Sequence, residues 1–179
     1  MKKFVLAVLF VLGCVVSVQA APFPATDEKL PVDVVADRMV YETDKNTVTF
    51  QGNVEAVRGE FTMWSERLIL YLKASKEEEK KAASEAGTAM AGSELERIVA
   101  QGNVRFKNGT QTGSSEKATY LADQGLLVLE GEPVLHDGEN SIRGKVIRYY
   151  TKENRSVVEG GPKQRVHAVF SSGDKEKRP

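Results

Sequence analysis

One unit is written four times in this chain. A charged residue is followed four positions later by an aromatic residue or Leu, and then by Gly: Asp37, Tyr41 and Gly52; Glu66, Leu70 and Gly102; Glu116, Tyr120 and Gly131; Lys145, Tyr149 and Gly160. The second interval is 11 residues in three copies and 32 in the other, so one copy carries 21 extra residues. The starts, at 37, 66, 116 and 145, are separated by 29, 50 and 29, and the same 21-residue excess recurs in the middle interval. Self-similarity at a fixed period predicts a repetitive scaffold, with one insertion in its second unit.

Within each unit apolar residues alternate with polar ones, as in Val48-Thr49-Phe50 and Leu127-Val128-Leu129, which predicts strand, turn, strand. Equivalent places are held by Asp44-Lys45-Asn46, Asp123-Gln124-Gly125 and Lys152-Glu153-Asn154, whose Asp, Asn and Gly tolerate the dihedrals of tight turns. Further hairpins are expected at Asn108-Gly109 and Asp137-Gly138. The insertion, about 73–96, then falls at a hairpin tip. Its Lys, Glu, Ala, Ser and Gly offer almost nothing to a core and predict a solvated excursion. No sustained helical period occurs outside the N-terminal segment and this insertion, so the fold is expected to be all-β.

Alternation also sorts the faces. Met39, Tyr41, Leu68, Leu70, Ala118, Tyr120, Ile147 and Tyr149 share one face with Val48, Phe50, Ile98, Ala100, Leu127, Leu129, Ser156 and Val158. The opposite face mixes Arg38, Thr47, Thr49, Arg67, Lys117, Thr119, Arg148 and Arg155 with Val40, Ile69, Val99, Val128 and Val157. The first set is the more uniformly apolar and is predicted to face inward; the mixture in the second predicts a face only partly exposed.

The first 20 residues have a basic start (Lys2, Lys3), an apolar stretch from Phe4 to Val16 and a small-residue ending at Ala20, the pattern of a cleavable secretory signal. Cleavage there leaves 159 of the 179 residues and removes the only cysteine, Cys14. A domain of that size can hold itself together by burial and strand pairing without a disulfide. Two of the 25 basic residues leave with the signal and none of the 25 acidic ones, giving a net charge of −2. That balance shows no basic excess and argues against nucleic acid as a partner.

Catalytic chemistry is hard to place. His136 and His167 are far apart, and no metal-ligand spacing, nucleophile elbow or phosphate-cradling loop occurs. The carboxylates Asp37, Glu66 and Glu116 recur at one structural position, so they read as scaffold rather than as an acid/base pair. No catalytic residue, metal site or cofactor is expected.

The segments Val-Asp-Val-Val-Ala-Asp-Arg (32–38), Val-Thr-Phe-Gln-Gly-Asn-Val (48–54), Ala-Gln-Gly-Asn-Val (100–104) and Val-Leu-Glu-Gly-Glu-Pro-Val (128–134) resemble the OstA-like family of lipopolysaccharide-transport proteins. The resemblance runs from about residue 30 to 170. It implies an all-β, twisted open β-jellyroll of antiparallel strands whose two sheets face each other across an apolar groove, with a domain over 21–170 and a disordered polar tail over 171–179. It further implies a non-enzymatic periplasmic bridge, with the acyl chains of lipid A lying in the groove and the sugars in water. On this reading the groove is lined by Val32, Val34, Met39, Tyr41, Val48, Phe50, Leu68, Leu70, Ile98, Phe106, Tyr120, Leu127, Leu129, Ile147, Tyr149 and Val158. The implied partners are lipopolysaccharide, an LptC-like inner-membrane protein, an LptD-like outer-membrane protein and other copies of the chain joined head to tail. The alternatives are an LptC-like membrane-anchored relative, the N-terminal domain of the outer-membrane translocon and, more remotely, a carbohydrate-active β-protein.

Overall fold

The computed structural model describes residues 32–73 and 94–171. The predicted signal, most of the insertion and the predicted tail beyond 171 lie outside the described residues. Within them the chain forms twelve strands: β1 (Asp33–Val35), β2 (Arg38–Glu42), β3 (Thr47–Arg58), β4 (Phe61–Leu72), β5 (Leu95–Asn108), β6 (Gln111–Leu121), β7 (Leu126–Glu130), β8 (Val134–Asp137), β9 (Asn140–Arg143), β10 (Val146–Tyr150), β11 (Arg155–Glu159) and β12 (His167–Val169). The only helical element among the described residues is a 3-10 turn at Thr43–Lys45. Every strand pairing is antiparallel.

β3, β4, β5 and β6 are 11 to 14 residues long and serve two arms at once. In the first arm the order is β2-β3-β4-β5-β6-β7-β10-β11. In the second it is β1-β3-β4-β5-β6-β8-β9-β12. Each arm therefore has eight strands, and the long strands bend where one arm passes into the other. The sheet is not closed: β1 and β2 form one end, β11 and β12 the other.

The bends lie at the Gly-Asn pairs of the repeat. Gly52 (φ 77) with Asn53 (φ 45), and Gly102 (φ 77) with Asn103 (φ 46), interrupt the register of β3 and β5 against their neighbours. These are bulges within continuous strands and not chain reversals. An extra residue with left-handed dihedrals increases local bend and twist without ending the strand. The true reversals occur where the turn residues predict them, with Asn46 (φ 49), Gly125 (φ 57) and Asn154 (φ 48) left-handed in the three aligned turns and Gly109 and Gly138 in the two Gly hairpins.

The bend also explains the acidic residue that opens each of the first three units. Asp37 sits against Gly52, where a Cβ would lie 2.2 Å from its Oδ2, and its carboxylate accepts a 2.9 Å hydrogen bond from Asn53 Nδ2. Glu66 repeats the arrangement at Gly102, with Asn103 Nδ2 donating at 2.7 Å. Glu116 covers Gly131 in the same way. In all three units an acidic side chain thus closes over a left-handed Gly, and any Cβ there would collide with it.

Packing concentrates at the crease. Val48, Phe50, Leu68, Ala100, Ala118, Leu129, Ile147 and Tyr149 of the first arm and Val54, Ala56, Val104 and Phe106 of the second form one buried cluster. Because both arms contribute to it, their inner faces converge there. Full burial of a Val, Leu or Ile is worth about 1.5–3 kcal/mol, so this cluster is the main anchor of a sheet with no disulfide. The hairpin that carries the insertion is closed below it: Lys73 N–H donates to Glu94 O at 2.8 Å, and Leu95 and Glu96 already belong to β5. The sheet therefore claims part of the interval 73–96, and the excursion proper, 74–93, lies outside the described residues.

Candidate functional site: an apolar groove open at both ends

Two rungs of side chains cross the whole inner face of the first arm. One runs Met39, Phe50, Leu68, Ala100, Ala118, Leu129, Ile147, Val158; the other runs Tyr41, Val48, Leu70, Ile98, Tyr120, Leu127, Tyr149, Ser156. Neither rung contains a charged residue. A third rung crosses the second arm through Val34, Ala56, Met63, Phe106, Gly113, Leu135, Ile142 and Ala168. In it Phe106 lies over Gly113, where a Cβ would meet the ring at 2.1 Å, and stacks on Phe61 at 6.3 Å between centroids.

Away from the crease the arms leave space between them. Near the β11–β12 end a pocket of about 260 Å³ is walled by Phe106, Leu135 and Ile142 of the second arm, Val158 of the first, and Phe170. Its polar edge includes Gln111, whose Nε2 donates to Asp137 Oδ2 at 3.3 Å. Ser171 holds the chain after Phe170 in place, its N–H donating to Asn140 Oδ1 at 2.9 Å.

Charge in the first arm is kept off these rungs. Lys117 pairs with Glu130 at 3.0 Å and Arg148 with Glu159 at 2.6 Å on the outer face, while Lys73 bridges Glu94 and Asp123 at the rim, both at 2.9 Å. Those rim carboxylates raise the Lys73 ammonium pKa above its ordinary value, through their hydrogen bonds first and their charge second. The tyrosine buried on these rungs is Tyr149, whose hydroxyl donates to Asn154 Oδ1 at 2.9 Å and whose pKa burial pushes up. It stays neutral and does not bring charge into the groove.

Most of the predicted lining is brought together. Val48, Phe50, Leu68, Phe106, Leu129, Ile147 and Tyr149 are buried, and Val34, Tyr41, Leu70, Ile98, Leu127 and Val158 are half-buried and packed against them. Tyr120 is half-buried on the second rung, between Ile98 and Leu127. Two predicted residues stand at the open edge of the described sheet. Val32 precedes β1 and is 54% exposed, and Met39 is 47% exposed, because each lies at the open edge with no further strand to cover it. Ser156, placed inward by the repeat, is exposed on the opposite edge strand. On the outer face Thr49 and Val99 are each only 7% exposed, in keeping with its mixed composition. Sequence reasoning missed most of the second arm's lining, Val54, Ala56, Met63, Val104, Leu135 and Ile142. The signal was there: alternation resumes past the bulges in Val54-Glu55-Ala56 and Val104-Arg105-Phe106.

Among the described residues no group of three or more His, Cys, Asp or Glu side chains is disposed to hold a metal ion.

An open sheet of antiparallel strands, folded into two arms whose central rungs carry no charge, is a groove-forming β-jellyroll. Residues 33–155 match the family model of the LptA/(LptD N-terminal domain) LPS transport proteins, and the chain belongs to that family. It is similar to the lipopolysaccharide export system protein LptA of Haemophilus influenzae, at 24% identity over 164 residues that cover 91% of this chain and 90% of the relative. Its fold is similar to that of LptH, the LptA-homologous periplasmic component of the lipopolysaccharide transport device of Pseudomonas aeruginosa. That match has a TM-score of 0.64 and 14% identity and covers 82% of this chain and 99% of the other.

Proposed function

We propose that this protein is a periplasmic bridge segment that carries lipopolysaccharide between the inner and outer membranes, holding the acyl chains between its arms and leaving the sugars in water. The observation that carries this reading is the pair of inner rungs, uncharged across all eight strands of the first arm and open at both ends. Each methylene moved from water into such a lining is worth about 0.8 kcal/mol, so a multi-chain lipid is retained by length of lining alone. A carrier needs no bond-making chemistry, so the groove acts by binding and not by catalysis. The curated relative is an export protein for the same lipid, which supports the assignment.

The two open edges are the proposed joints. The large hydrophobic residues exposed among the described residues are Val32, Val35 and Met39 at the β1–β2 end and Val166, Val169 and Phe170 at the β12 end. Unpaired strand edges flanked by apolar side chains are templates for another strand. We assign these ends to contacts with an LptC-like inner-membrane protein, an LptD-like outer-membrane protein and neighbouring copies of this chain.

The test is photocrosslinking in intact cells. A photoreactive side chain at Val158 or Leu135, which line the open part of the groove, is expected to capture lipopolysaccharide, and the same probe at Lys117 or Val157 on the outer face is not. Equal capture from both faces would overturn the assignment.

A further inference from the structure

Eight is an even number, and this fixes how two copies can meet. In an antiparallel sheet strand direction alternates, so with eight strands per arm the first and last edges run in opposite directions. β2 and β1 run one way, β11 and β12 the other. A second copy placed beside the first by simple advance along the sheet brings its β2 against β11 and its β1 against β12, both antiparallel, and the alternation continues through the joint. Two copies meeting by like edges, β11 on β11, would instead form a closed two-fold pair, and extending it would require a second and different contact, β2 on β2.

Within each arm the rungs run straight across, and carrying them on fixes the register of the joint. Val158, paired with Ile147, takes Met39 of the next copy, and Ser156, paired with Tyr149, takes Tyr41. Inner residues thereby stay with inner residues. A slip of one residue would set the inner set of one copy against the outer set of the other.

The sequence of the two edges supplies a second, independent argument for the same register. β11 reads Arg155-Ser156-Val157-Val158-Glu159 and β2 reads Arg38-Met39-Val40-Tyr41-Glu42. Set antiparallel with the rungs continuous, Arg155 faces Glu42, Glu159 faces Arg38, and Val157 faces Val40. All three pairs lie on the water side. A slip of two residues in either direction sets a charge against Val40 and another against Val157, and leaves the remaining charges unmatched. Sheet register and charge pattern choose the same alignment. The charged heads are already held beside the edge, Arg155 by Glu153 at 2.8 Å and by the Tyr150 ring at 4.0 Å, and Glu159 by Arg148.

We infer that Arg38, Glu42, Arg155 and Glu159 are the residues that set register and polarity where one copy of this chain joins the next, as two oppositely charged cross-strand pairs flanking the Val40–Val157 contact. The inference rests on the end-to-end joining proposed above. It also gives the joint a consequence for cargo: in this register Val158 and Met39 make one continuous apolar rung from copy to copy, and the exposure of Met39 is removed by its neighbour.

Charge reversal tests it, because opposite charges directly across a strand pair attract and like charges repel. One variant carries Arg38→Glu with Glu42→Arg, a second Arg155→Glu with Glu159→Arg, and a third all four changes. Self-association of the exported protein is followed by light scattering. Each two-site variant alone is expected to associate roughly tenfold more weakly than the unaltered chain. An equimolar mixture of the two recovers association, since each altered edge then meets its altered counterpart, and the fourfold variant recovers it without a partner. Recovery also shows that the variants are folded. If the two-site variants associate like the unaltered chain, or if neither mixture nor fourfold variant recovers, the register is wrong while end-to-end joining stands. If the unaltered chain does not associate, the joining itself fails and the register with it, whereas lipid capture in the groove is a separate measurement.

Discussion

At the scale of the residue, the informative position is Gly52. Its φ of 77° lies where an L side chain is strained, and its missing Cβ leaves room for the Asp37 carboxylate that in turn holds Asn53. Gly52→Ala is expected to lose about 1–3 kcal/mol, from the dihedral alone in part and from the collision with Asp37 in part. Asp37→Ala removes a single exposed hydrogen bond and is expected to cost about 1 kcal/mol. The two are coupled: with Asp37 gone the alanine at 52 has no carboxylate to meet, so the double variant loses less than the sum of the singles. Urea denaturation of the four proteins measures that coupling, and strict additivity would mean that the carboxylate is not what excludes a side chain there. Leu129 poses a simpler case. It is 1% exposed in the middle of an inner rung, so Leu129→Ala is expected to cost about 2–5 kcal/mol, with the spread set by how far the crease can collapse into the space left.

At the scale of the element, the alternating pattern made the strand pairs and the inner face of the first arm legible, because a period of two survives wherever strands are regular. It did not reveal the second arm as a continuation of the same strands. Gly-Asn reads as a turn in sequence, and only the pairing of Val54 with Ser65 beyond it shows that the chain goes straight on. In β4 and β6 the inward set also changes parity, from Ser65 to Leu68 and from Ser115 to Ala118, so one alternation cannot be extrapolated across the bend. Exposure of Val32 and Met39 was illegible for another reason: it depends on which strands are last in the sheet, a property of topology and not of local pattern. Two element-level expectations follow from the edges and the hairpin. The ladder between β4 and β5 closes at Lys73 and Glu94, so replacing residues 74–93 by Asn-Gly is expected to leave the melting temperature nearly unchanged; a large loss would show that the excursion packs on the domain. Among the described residues β12 pairs only with β9, and along an edge strand successive N–H groups point alternately to the partner and to the open side. Of Ala168→Pro and Val169→Pro, one therefore removes a β9 bond and destabilises the fold. The other removes only an open-side donor and weakens association in a protein whose stability changes by about 0.5 kcal/mol or less. Association intact in both, with circular dichroism showing folded protein, would rule out strand addition at this edge.

At the scale of the whole molecule, the crease and the groove divide the work of one inner surface. Where the arms converge, the buried cluster from Val48 to Tyr149 is filled by the protein's own side chains and supplies stability. Where they diverge, Leu135, Ile142, Val158 and Phe170 line space the protein does not fill, and the apolar surface there remains in contact with water until something covers it. A ligand that covers it binds the folded state and has no equivalent site on the unfolded chain, so it must raise the apparent stability. At a free concentration one hundred times its dissociation constant the gain is about 2.7 kcal/mol, which for a domain of this size corresponds to a rise in melting temperature of roughly 5–10 °C. Lipopolysaccharide below the concentration at which it aggregates is expected to give that rise, and the polysaccharide stripped of its acyl chains is not. Val158→Asp and Leu135→Asp place a charge on the open lining, and because both side chains also pack against the edge of the crease each is expected to lower the ligand-free melting temperature as well. The rise is therefore measured from each variant's own ligand-free value and is expected to be mostly abolished. A rise that persists in both variants, or that the deacylated polysaccharide produces equally well, would mean that the lipid is held elsewhere than between the arms.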